Sequence, residues 1–120
     1  MSATDTQAVI EHYFDLMGRG EDFKVCYADD VRWTTYDGGT SVVGPAEVQR
    51  YVTELHQNMP DGDGPPIAYT AEAAYLEGDF PDPRSSSGDR VAWCLVYDVA
   101  DGLITSARLY GGLGFLAPVR

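Results

Sequence analysis

YADDVRWTTYDGGTSVVGPAEVQRYVTEL, residues Tyr27 to Leu55, reads as the end of a short helix, a strand, a glycine turn, a second short strand and a helix with a clear start. Val31, Trp33 and Thr35 alternate with Arg32, Thr34 and Tyr36, the two-residue period of a half-buried strand. Asp37-Gly38-Gly39 supplies the turn, and Val42 and Val43 the return strand. Gly44-Pro45-Ala46-Glu47 opens the helix. Proline fits the first helical position, where its missing N–H has no intrahelical partner, and an acid there meets the positive end of the helix dipole. Val48, Tyr51, Val52, Leu55 and Met59 then fall on one face.

Upstream, Thr4 and Gln7 stand at capping-box spacing, and Val9, Ile10, Tyr13, Phe14 and Met17 recur at helical intervals, predicting a first helix over about Asp5 to Met17 that Gly18 and Gly20 stop. A second short helix over Asp22 to Tyr27 buries Phe23, Cys26 and Tyr27. Downstream, Pro60 and the run Asp61-Gly62-Asp63-Gly64-Pro65-Pro66 form an exposed loop, since glycine and proline break both regular periods. Ile67 to Leu76 reads as one strand and Glu77 to Asp89 as a long turn. Val91, Trp93, Leu95, Tyr97 and Val99 then alternate with smaller residues, and Asp101-Gly102 turns the chain into a last strand, Leu103 to Tyr110.

The chain has 120 residues, with 19 acids against 8 basic residues and a net charge of -11. That length fits a single domain over 1–120 with one core and room for one ligand-sized cavity. Lys24 is the sole lysine, so there is no basic stripe to neutralise phosphates, and nucleic acid and anionic membrane surfaces are excluded as partners. No apolar run approaches membrane-spanning length. The acidic N-terminus is unlike a secretory leader and only two cysteines occur, Cys26 and Cys94, so a reducing cytoplasm is expected.

Helices followed by a run of antiparallel strands make an α+β domain, with the N-terminal helices packed on a strongly curved antiparallel sheet. Such a cone encloses a pocket against its concave side. The first helix, YADD-x-x-W, x-G-P-A-E-V at the start of the third helix and DGLITSARLY on the last strand together resemble the SnoaL-like branch of the nuclear-transport-factor-2-like superfamily, over about Ile10 to Tyr110. The resemblance implies a cytoplasmic homodimer that holds a hydrophobic small molecule and needs no cofactor. It also implies an enzyme of cofactor-free cyclisation, isomerisation or dehydration, with a polyketide-like metabolite as one substrate class, or alternatively a non-catalytic carrier. Against longer members the chain is one strand short, or carries the Glu77 to Asp89 turn in place of the middle hairpin.

Residue by residue, the resemblance matches Tyr13 to the helix tyrosine that stabilises an oxyanion in ketosteroid-isomerase relatives. Their general-base aspartate falls on Thr35 and their second acid near Leu95. Threonine is a poor base near neutral pH. In the epoxide-hydrolase relatives, the water-orienting tyrosine and asparagine fall on Trp33 and Thr35, and the last-strand aspartate on Leu109. If there is catalysis, Tyr13 polarises an oxygen and Asp37 or Glu72 moves the proton. Trp33, Thr35, Tyr51, Leu55, Trp93, Leu95, Tyr97 and Leu109 line the ligand site.

Each candidate has a plainer reading. Tyr13 suits a core tyrosine with a satisfied hydroxyl equally well, and Asp37 reads better as the residue that starts the glycine turn. Glu72 is the one acid within its strand. Asp98, beside Ala92 and Cys94, suits solvent or a subunit interface. A third reading of the whole chain has the cavity filled and the sheet serving only for dimerisation. His12 and His56 are isolated and the cysteines are far apart, so no metal site is expected. Asp61-Gly62-Asp63-Gly64 lacks the closing glutamate of a calcium loop.

Overall fold

The computed structural model describes residues 2–59, 65–112 and 116. Two helices and a single 3₁₀ turn pack with six strands. The first helix, α1 (Ala3–Gly18), starts two residues earlier than its periodicity suggests. Ser2 and Asp5, not Thr4 and Gln7, form the capping box: Asp5 N–H donates to Ser2 Oγ and the Ser2 N–H to Asp5 Oδ2. Ile10, Tyr13 and Leu16 are its buried stripe. The expected second helix shrinks to the 3₁₀ turn Lys24–Cys26, so Tyr27 begins a strand instead of ending a helix.

Strand β1 (Tyr27–Thr35) buries Val31, Trp33 and Thr35, and β2 (Thr40–Val43) returns antiparallel beside it. Helix α2 (Pro45–Asn58) has Gly44 as its N-cap at φ 95°, proline at its start, and Val48, Tyr51, Val52 and Leu55 buried. The positive φ explains the glycine, since a Cβ there strains the backbone.

The middle of the chain departs from expectation. Ile67 to Leu76 is not one strand but a hairpin, β3 (Ile67–Tyr69) and β4 (Ala73–Pro81), with Ile67 paired to Leu76. The Thr70 hydroxyl accepts from the backbone N–H groups of Glu72 and Ala73, and Thr70 N–H donates to Ala73 O. A short hydroxyl side chain thus gives the backbone a turn to replace the sheet ladder. Glu72 therefore lies in a turn, not a strand. β4 also runs through most of the expected turn, leaving only 82–89 between it and β5 (Arg90–Ala100). The split supplies a sixth strand, so the middle hairpin is present. β6 (Leu103–Gly111) completes the sheet.

The strand order is β2-β1-β6-β5-β4-β3. All pairs are antiparallel except β1 with β6, so the sheet is mixed and not wholly antiparallel. α1 lies against β3 and β4, and α2 against β1 and β2. Both helices sit on the same face, where one hydrophobic cluster joins them to the inward side chains of the sheet. Residues 60–64, where an exposed loop is expected, and most of the residues after Gly112 lie outside the described residues.

Candidate functional site

Strand pairing arranges the inner face in rows. Ala74, Tyr97, Ala107, Trp33 and Val42 form one row across β4, β5, β6, β1 and β2. Leu76, Leu95, Leu109, Thr35 and Thr40 form the next, and Gly78, Trp93 and Gly111 the one after that. In the first row each aromatic ring has alanine beside it, which leaves space for the rings. Tyr97 and Trp33 meet edge to face with centroids 6.2 Å apart, a favoured aromatic geometry.

Tyr13 reaches this row from α1. Its hydroxyl lies 2.7 Å from the Tyr27 hydroxyl and 3.3 Å from that of Tyr97, and all three rings are buried. Phe23 packs edge-on against Tyr13 at 5.5 Å. Burial raises the pKa of each phenol well above its ordinary value, with neighbouring tyrosines adding to the effect at Tyr13 and Tyr27. All three are neutral donors at physiological pH. Three hydroxyls joined by two hydrogen bonds use two of their three protons. One O–H is left to donate elsewhere.

A second cluster adjoins it. Trp33 Nε1 donates to Thr35 Oγ1 at 2.9 Å, and Thr35 Oγ1 lies 2.8 Å from the Tyr51 hydroxyl of α2. Thr35, which falls where the ketosteroid-isomerase resemblance puts a base, is fully buried and holds a tryptophan to a tyrosine. Leu55, Leu95 and Leu109 are buried beside these groups, while Trp93 is half-buried.

The acids lie elsewhere. Among the described residues no aspartate or glutamate is buried. Asp37 is exposed in the β1–β2 turn and Glu72 in the β3–β4 turn, at opposite edges of the sheet. Asp98 points away from the inner face and pairs with Arg108 at 2.9 Å. The chain thus brings Tyr13, Trp33, Thr35, Tyr51 and Tyr97 together and keeps Asp37 and Glu72 apart from them. Tyr27 belongs to the cluster too, although the sequence pattern placed it at the end of a helix and offered no sign of a hydroxyl contact. Gly78 was likewise hidden, because the expected turn covered it.

A solvent-open groove of about 470 Å³ lies where the end of α1 faces α2 and includes Met17, Phe23, Thr53 and His56. Phe23 separates it from the tyrosine cluster. Among the described residues no group of three histidine, cysteine or acidic side chains could hold a metal ion.

The family model of the SnoaL-like domain matches residues 10–107. No curated protein matches the chain. Among solved structures, a candidate ketosteroid isomerase from Kribbella flavida is 21% identical with a TM-score of 0.66, covering 92% of this chain and 79% of its own. An NTF2-like protein from Burkholderia xenovorans is 19% identical with a TM-score of 0.72, covering 94% and 93%. A de novo designed protein with a curved β-sheet is 16% identical with a TM-score of 0.70, covering 93% and 88%. At these identities the likenesses establish the fold alone.

Proposed function

The chain belongs to the SnoaL-like domain family, and from that premise we propose that it binds an apolar, oxygen-bearing small molecule against the aromatic side of its cone. One observation carries the reading: the buried interior offers hydroxyl donors and aromatic rings but, among the described residues, no carboxylate. A ligand carbonyl is the partner that the spare phenol proton of the Tyr13, Tyr27 and Tyr97 cluster lacks. An apolar frame matches Trp33, Leu95 and Leu109. A buried donor without a partner is costly, so an acceptor-bearing ligand is favoured over a plain hydrocarbon.

The enzymatic reading, cyclisation, isomerisation or dehydration of a hydrophobic metabolite such as a polyketide, has one observation in its favour. Neutral phenols held in a dry site are the donors that stabilise a developing oxyanion. It needs Asp37 or Glu72 to move the proton, and both stand in exposed turns, which places binding first.

Calorimetric titration with 2-acetylnaphthalene separates the two. 2-Ethylnaphthalene, which keeps the apolar frame and lacks the acceptor, is expected to bind about fivefold or more weakly, the worth of one net hydrogen bond. In D₂O the acetyl protons should exchange no faster than in buffer alone. Exchange catalysed by the protein and lost in Asp37→Asn or Glu72→Gln would establish the enzyme instead; no binding at all would remove both.

The second proposed partner is another copy of this chain, in a reducing cytoplasm. Both helices lie on one face of the sheet, and among the described residues no helix packs on the other. Among the described residues, four of the five large apolar side chains that remain exposed, Tyr36, Val43, Tyr75 and Tyr110, stand on that other side. Cys26 and Cys94 are free thiols, in keeping with that compartment. Among the described residues no helix is long and apolar enough to cross a membrane.

A further inference from the structure

Trp93 differs from the other inward aromatics. Trp33 and Tyr97 are fully buried, whereas Trp93, in the third row of the inner face, is only partly buried. Its neighbours across the strands are Gly78 on β4 and Gly111 on β6. The indole lies directly over Gly78: a Cβ there would stand 2.7 Å from Trp93 Cζ2, 2.9 Å from Cε2 and 3.2 Å from Nε1. Gly111 permits a different approach, since a Cβ there would meet the Ala92 carbonyl oxygen at 2.4 Å. The glycine on β4 is therefore what lets the indole lie against the wall of the cone.

The indole N–H also contrasts with that of Trp33. Trp33 Nε1 is spent on Thr35. Trp93 Nε1 has no hydrogen-bond partner among the described residues. An indole nitrogen can only donate. Trp93 and Tyr97 are four residues apart on β5 and share the inner face, a separation of about 13 Å along the strand. The leucine row, Leu76, Leu95 and Leu109, lies between them.

We infer that Trp93 is a specificity-determining residue that selects an elongated apolar ligand with a hydrogen-bond acceptor at each end. One acceptor meets the tyrosine cluster and the other the Trp93 indole N–H, with the apolar frame along the leucine row. Gly78 positions the indole for this contact. The inference rests on the binding reading above and adds to it the length of the ligand and its second acceptor.

The test compares 2-acetylnaphthalene, with one acceptor, and 2,6-diacetylnaphthalene, with one at each end, by calorimetric titration. Wild type should prefer the diketone. Trp93→Phe keeps a ring and removes the N–H, so the preference, the ratio of the two affinities within one variant, should fall about fivefold, the worth of one net hydrogen bond. Gly78→Ala should produce the same loss and change the tryptophan fluorescence, because the indole has to move. Near-UV circular dichroism of both variants, compared with wild type, checks that the interior is intact. An undiminished preference in both variants overturns the role of Trp93 and leaves the binding reading standing. Failure of both ketones to bind wild type overturns the two together, and a diketone preference that persists in Trp93→Phe but falls in Gly78→Ala assigns the effect to shape and overturns the N–H contact.

Discussion

At the scale of single residues, the centre of this protein is a set of hydroxyls that stay protonated. An unfolded phenol titrates near 10.0, whereas burial holds Tyr13, Tyr27 and Tyr97 well above that value in the folded chain. Between those limits the unfolded chain binds fewer protons than the folded one, so stability falls as pH rises, by about 1.4 kcal/mol per pH unit for each phenol. Below the ordinary phenol value these groups contribute no pH dependence. Denaturant melts should therefore show a contribution from them that is flat up to about pH 9 and declines above about pH 10, alongside late tyrosinate absorbance. Tyr13→Phe should make that decline shallower and cost about 1 to 3 kcal/mol at neutral pH, because the hydroxyls of Tyr27 and Tyr97 lose their buried partner. A variant as stable as wild type, with the same alkaline slope, would show that the three hydroxyls do not act as one cluster.

At the scale of elements, the segments that were legible carry strong local signals. The alternation of Val31, Trp33 and Thr35 and the Gly44-Pro45 start of α2 hold in the structure, because each depends on a few adjacent residues. The break at Thr70 was not legible, since its hydroxyl competes with a ladder that exists only once β4 folds back on β3. The parallel pairing of β1 with β6 joins residues such as Trp33 and Ala107 that are far apart in sequence. No local pattern encodes it. Burial of Thr35 and Trp33 followed from strand parity, but the bond between them, two residues apart on one face, required the rotamers. Two glycines separate backbone conformation from crowding, since a Cβ at either Gly44 or Gly18 would meet nothing within 4 Å. Gly44 has φ 95° and Gly18 closes a helix. Gly44→Ala should cost about 1 to 3 kcal/mol through backbone strain alone, while Gly18→Ala should stabilise by about 0.5 kcal/mol by restricting the unfolded chain. Chemical denaturation of the pair checks this, and equal effects would mean that the start of α2 does not depend on the left-handed conformation.

At the scale of the whole molecule, the net charge of -11 opposes association of two copies, since like charges repel through solvent until salt screens them. The sheet face opposite the helices is the exception to that charge. Its paired rows carry Arg32, Arg90 and Arg108 against Glu77, Asp79 and Asp98, three of each sign, and exposed Asp30 on β1 adds one acid. Arg108 bonds Asp98 and Arg90 bonds Asp79 within the chain. Around them Tyr36 stacks on Tyr110 with centroids 4.7 Å apart, and Val96 and Tyr75 face each other across β5 and β4. A second copy can meet this nearly neutral, aromatic face without bringing two large like charges into contact. If apolar contact holds the dimer while the acidic remainder pushes it apart, added salt should tighten association by screening the repulsion. Ion pairs formed between the copies would weaken with salt instead. Sedimentation equilibrium across a salt series gives the sign directly. Tyr110→Glu, which adds a charge to the face and leaves the inner cluster untouched, should give a monomer with unchanged far-UV circular dichroism. A dimer that survives this substitution, or that loosens as salt rises, would place the contact on another surface.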